Sequence, residues 1–118
     1  NQNTDLPVFR YADILLMKAE AILRGAPATG GQTALSLVND VRTRRNAAAW
    51  SAVTLQTLYE ERSRELVSEN WHRNDMIRFG KFEGTWGSKT NSDPNKRIFA
   101  VPFQALQLNP ALTQNPGY

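Results

Sequence analysis

The chain has 118 residues, no cysteine and a single histidine, His72, which excludes a disulfide framework, a thiol nucleophile and any metal site needing two imidazoles from this chain. Its 14 basic and 11 acidic residues give a net charge of +3, and 41% hydrophobic with 21% charged residues is the composition of an ordinary globular protein. The longest apolar runs, such as Ile14 to Met17, are far below the ~18 residues of a membrane span, and most of the basic residues are arginines, a type used in fixed, forked ion pairs, so a net charge of +3 is weak evidence for a nucleic-acid partner.

Arg10 to Arg24 reads as a helix, because it lacks Gly and Pro and is rich in Ala, Leu, Met, Lys and Glu. Arg10, Asp13, Glu20 and Arg24 form one narrow polar stripe, and Ala12, Leu15, Leu16, Ala19, Ile22 and Leu23 cover most of the remaining surface. A stripe so narrow implies packing on more than one side. Gly25 and Pro27 mark the end of this helix, and Ala28 to Gly31 is a loop. Gln32 to Arg45 forms a second helix, with Ala34, Leu37, Val38 and Val41 along one face, so the short loop implies an antiparallel pair.

Asn46 to Val53 is a connector containing Trp50. Thr54 is the expected N-cap of a third, longer helix running to about Ile77, with Leu55, Leu58, Tyr59, Leu66 and Met76 on its apolar side. Gly80 to Arg97 reads as loop, and Ile98 to Phe103 as a short extended segment that Pro102 confines to an edge or non-strand role. The Asn-Pro and Pro-Gly pairs of the final residues demand turns. The fold class is mostly α with an irregular C-terminal third.

The densest chemistry lies on the third helix. Arg62 and Glu65 stand at i,i+3, and Glu69 and Arg73 at i,i+4, with Asp75 and Arg78 following. Glu61 and Glu65 imitate the carboxylate pair of a glycoside hydrolase, but that chemistry wants carboxyls across a cleft with one pKa raised. Flanking arginines instead keep both ionised, so the expectation is a structural ion-pair network of Arg62, Glu65, Glu69, Arg73, Asp75 and Arg78, partly buried, and no catalytic residue. Glu69 and His72 make half of a carboxylate-bridged di-iron signature whose second half is missing, so no metal and no cofactor is expected. Arg42, Arg44 and Arg45 present themselves to phosphate, or serve the negative end of their own helix. Trp50 and Trp86, in polar loops, are either lids on the core or platforms for the apolar face of a sugar, and they are the candidate ligand-binding residues.

Four segments in order carry a family resemblance: RYADILLMKAEAILRG, ALSLVNDVRTRRN, LYEERSRELVSENWHRNDMIRFGKF and IFAVPFQALQLNPALTQNPGY. They resemble the C-terminal region of SusD/RagB-like proteins over roughly Phe9 to Tyr118. The third segment supplies the motif of Glu61, Arg62, Arg64, Glu65, Leu66 and Glu69, then Arg73, Asp75, Arg78 and Gly80.

The resemblance implies a non-catalytic lipoprotein on the outer face of the bacterial outer membrane, which binds glycans and delivers them to a TonB-dependent transporter. It also implies tetratricopeptide-like helix pairs, of which Arg10–Arg24 and Gln32–Arg45 are one. The chain is then a single C-terminal piece, with helical scaffold over 9–79 and a loop-rich tail over 80–118. The chain opens on Asn1 rather than Met, so its start reads as cut and its end as native. The lipid-anchor cysteine and most ligand contacts of the family would lie upstream, so no ligand residue is carried over and the charged motif is carried over only as scaffold. A helical protein-interaction module is the alternative, and apolar surface around the first helix points to self-association.

Overall fold

The computed structural model describes residues 8–90 and 92–118 and is mostly helical, with no strand among the described residues. Two compact units divide it, one reaching Asp75 and the other running from Met76 to Tyr118. No helix among the described residues is long and apolar enough to cross a membrane.

In the first unit α1 (Tyr11–Leu23) packs against both α2 (Ala34–Arg44) and α3 (Leu55–Glu65). The two neighbours explain why α1 needs so much apolar surface: Leu15, Leu16 and Ala19 meet a core that also contains Leu37, Val38, Val41 and Leu58. The beginning of α1 and the end of α2 line one hollow, as an antiparallel pair requires. Helix ends are set locally. Gly25, at φ +106°, closes α1 with bonds from its own N–H to Ile22 and from the Ala26 N–H to Ala21, the pattern of a Schellman motif. Asn46, at φ +58°, closes α2 in the same way. Thr33 with Ser36 and Thr54 with Thr57 form reciprocal capping boxes at the starts of α2 and α3.

The middle of the polar stripe of α1 is buried, at Asp13 and Glu20, whereas Tyr11 and Ile14 are exposed. Charge on α3 offers Asp13 a partner, which no local pattern reveals. The long third helix is two helices, α3 and α4 (His72–Arg78), separated by a turn in which Ser68 and Asn70 both take positive φ. No helix continues through such residues.

The second unit is stitched by side chains. Its Ile98–Phe103 stretch is extended only to Pro102, which serves as N-cap of a short helix, α5 (Phe103–Leu108); the missing N–H of Pro102 costs nothing at that position. A 3₁₀ turn occupies Pro94–Arg97. The last residues strap back onto this segment. The Gln114 amide bonds both the N–H and the carbonyl of Val101, at 2.8 and 3.0 Å, and the Tyr118 hydroxyl donates to the Ile98 carbonyl at 2.8 Å.

Candidate functional site

The charged residues of α3 form a lattice in the first unit. Arg62 is its centre and is fully buried, with Nε donating to Asp75 Oδ2 at 2.8 Å and Nη1 standing 2.8 Å from Asp13 Oδ1. The Asp13 approach is too oblique for a directed hydrogen bond, so it acts as a charge contact. Burial pulls the Arg62 pKa down, but the hydrogen bond to Asp75 and the charges of Asp75 and Asp13 together outweigh it and leave it raised.

The neighbouring glutamates each hold two arginines. Glu61 takes Arg42 at 2.6 Å and Arg64 at 2.8 Å, and Glu65 takes Arg10 at 2.6 Å and Arg45 at 2.8 Å. Arg10 also forks onto Glu69, at 2.8 Å. Burial works to raise the Glu65 pKa, yet hydrogen bonds from Arg45 and Arg10 leave it below the usual carboxylate value. The bond to Glu69 is the largest cause holding Arg10 above its ordinary pKa.

Of the expected network, the structure thus brings Arg62 and Asp75 together, but not Arg62 and Glu65. Glu65 and Glu69 are joined instead through Arg10, at the N-cap of α1. Arg73 and Arg78 lie half-buried on α4, with the Arg78 guanidinium 5.4 Å from the centre of the Phe79 ring. Spacing along α3 does not reveal Asp13, Arg10, Arg42 and Arg45, which join the network from other elements; the one sequence signal is an aspartate inside the apolar run ADILLM. His72 stacks on Tyr59, with ring centres 6.1 Å apart, and no group of three His, Cys, Asp or Glu among the described residues is placed to hold a metal.

The two tryptophan candidates differ. Trp50 is tied at its backbone by the Asn39 amide, at 2.8 and 2.9 Å, and the Arg42 guanidinium lies 4.2 Å from its ring centre. An arginine so placed occupies the surface that a sugar would use. Trp86 is 46% exposed, on a tight turn in which its N–H and carbonyl pair with Lys89. Its flank is polar, and the Lys89 ammonium stands 6.0 Å from its ring centre, farther off than the Arg42 guanidinium from Trp50, so more of this indole is open to stacking on a pyranose.

Two concavities adjoin the lattice. One, of about 290 Å³, has an apolar floor of Ala12, Leu15 and Val41, with Arg44 and Arg45 among its lining residues. The other, of about 620 Å³, is open and lined by Arg10, Arg42, Arg45 and Arg64 with Glu61, Glu65 and Glu69. Paired charges of this kind orient one another and the helices that carry them, and offer planar donors and acceptors to a polar ligand.

The family model described as the SusD family matches residues 1–118. The starch-binding protein SusD of Bacteroides thetaiotaomicron is 35% identical over 129 residues, covering 98% of this chain and 22% of that protein. A SusD-like protein of Formosa agariphila is 32% identical, covering all of this chain and 26% of its own length. Among solved structures, a laminarin-binding SusD-like protein superposes with a TM-score of 0.72 at 34% identity, covering 94% of this chain and 23% of that one. The chain therefore spans about a quarter of the length of the relatives it matches.

Proposed function

The chain belongs to the SusD family, and from that membership we propose that it is the C-terminal helical scaffold of a non-catalytic glycan-binding protein. That protein works at the outer-membrane surface and passes its ligand to a TonB-dependent transporter. The observation that carries the reading is identity above 30% along nearly the whole chain to proteins named for binding starch and laminarin. The geometry agrees with binding rather than hydrolysis, because Glu61 and Glu65 are each engaged by two arginines. The lattice then fixes helix docking, and Trp86 is this chain's own contact with a neutral sugar.

Affinity electrophoresis of the chain through gels containing laminarin or soluble starch tests this. Retardation by either glucan is expected, lost in Trp86→Ala and kept in Trp50→Phe. Unretarded migration in both gels overturns the assignment of Trp86, and reducing sugar released by the purified chain overturns the non-catalytic reading.

A second reading, a helical protein-interaction module, draws on exposed Val8, Phe9, Tyr11 and Ile14 at the start of α1. Self-association in light scattering, removed by Tyr11→Lys with Ile14→Lys, is its expected signature. A monomer at every concentration counts against it.

A further inference from the structure

Arg42, Arg44 and Arg45 crowd the end of α2; Arg42 is consumed by the scaffold, through Glu61 and the carbonyl of Ala48, and Arg45 is held in part, through Glu65. Arg44 and Arg45 have side chains 69% and 61% exposed. Asp40 accepts only from Nε of Arg44, and Glu65 accepts from Nε and Nη2 of Arg45. Both η nitrogens of Arg44 and Nη1 of Arg45 therefore keep their donors, on guanidinium planes that Asp40 and Glu65 already orient. The Arg44–Asp40 pair is an exposed i,i+4 contact, the kind that exchanges readily for a better acceptor.

These arginines border the hollow floored by Ala12, Leu15 and Val41. Its lining carries three guanidinium groups, Arg10, Arg44 and Arg45, and one carboxylate, Glu65, while Glu69 and Asp40 pair with Arg10 and Arg44 from outside the lining. A volume of about 290 Å³ suits a single sugar ring, and the floor presents aliphatic surface to its C–H face. Tyr11, 68% exposed, is the aromatic ring of the same lining. Guanidinium donors at the rim of an apolar floor suit a ligand with an apolar face and an anionic edge, and a guanidinium fork holds a carboxylate through paired N–H···O bonds.

We propose that this hollow is a subsite for an acidic sugar residue, its ring against Leu15 and Val41 and its carboxylate between Arg44 and Arg45. The subsite rests on the glycan-binding reading above and adds a substrate class, hexuronate-containing glycans.

Titration calorimetry of the full chain with oligogalacturonate, a neutral laminarin-derived oligosaccharide and a sulfated galactan oligosaccharide is the test. Oligogalacturonate should bind, with affinity falling about tenfold in the Arg44→Gln, Arg45→Gln variant and falling further as salt rises. Neutral binding should be unchanged in that variant. Arg44→Gln alone, which removes one exposed pair, should show a smaller loss at an unaltered melting temperature. Uronate binding that is absent, or equal in parent and variants, overturns the subsite, while retained neutral binding leaves the glycan reading standing. Failure of every oligosaccharide overturns the subsite and the Trp86 contact together, and preference for the sulfated probe overturns the carboxylate assignment.

Discussion

Arg62 and Asp75 are thirteen residues apart in sequence and 2.8 Å apart in space. On one continuous helix that separation would place them about 20 Å apart along the axis. The turn at Ser68 and Asn70 is what lets α4 return Asp75 to the guanidinium, so the break in the helix and the buried ion pair are one feature. Replacing Arg62 with Leu leaves Asp13 and Asp75 buried without their cation. The expected cost is about 3–5 kcal/mol in urea unfolding.

Asp13→Asn should cost much less than Arg62→Leu. Asn is close to Asp in shape and leaves the directed Arg62–Asp75 bond intact, whereas Arg62→Leu removes the group that both aspartates contact. Equal destabilisation by the two substitutions, read from melting temperatures at neutral pH, would refute this division of roles.

The contrast between α1 and the segment after α3 says what a sequence can reveal. The first two helices follow from strong helix formers, an apolar face and a closing Gly25, all local signals. The turn at Ser68 and Asn70 involves neither Gly nor Pro, and its cause is the distant pairing of Asp75 with Arg62. The lattice was legible as to which helix carries it, since spacing along α3 displays the charges. Its partners were not, because Asp13, Arg10, Arg42 and Arg45 reach it from other elements. Likewise α5 was hidden by Pro102, which reads as a strand edge until its carbonyl is seen accepting from Ala105 and Leu106.

Acid should loosen the first unit through Glu65. Its pKa lies below the ordinary 4.5 because Arg45 and Arg10 more than offset its burial, so the folded chain binds the proton less readily than the unfolded one. The stabilisation is complete at neutral pH and is lost as pH falls from about 4.5 downward; the arginines stay charged throughout. Urea midpoints measured from neutral pH down to about pH 3 should therefore drop, and Glu65→Gln should start lower and flatten the decline. A parallel decline in the variant would place the acid sensitivity elsewhere.

Gly117 anchors the C-terminal strap. It sits at φ +88°, and a Cβ there would lie 2.7 Å from the Cβ of Asn95, a clash with no flexible atom to yield. Gly117→Ala should cost about 1–3 kcal/mol and expose the Val101 amide, which bonds Gln114, to faster hydrogen exchange. Gly25→Ala makes the comparison, since its φ is also positive but the space around it is open. It should cost less and leave Val101 protected.

Arg42 makes three contacts with one guanidinium: Nε donates to the Ala48 carbonyl at 2.9 Å, Nη1 to Glu61 at 2.6 Å, and the plane covers Trp50. Lysine has one point charge and no plane, so Arg42→Lys cannot keep all three, and a loss of about 1–2 kcal/mol is expected. The Trp50 ring should then open to solvent, raising acrylamide quenching in a Trp86→Phe background where the exposed indole no longer dominates. If the uncovered ring now retards the chain on laminarin, Arg42 is what disqualifies Trp50 as a sugar platform in the parent. Unchanged quenching and stability would mean that the Asn39 bonds alone hold Trp50, and that its covering by Arg42 is incidental.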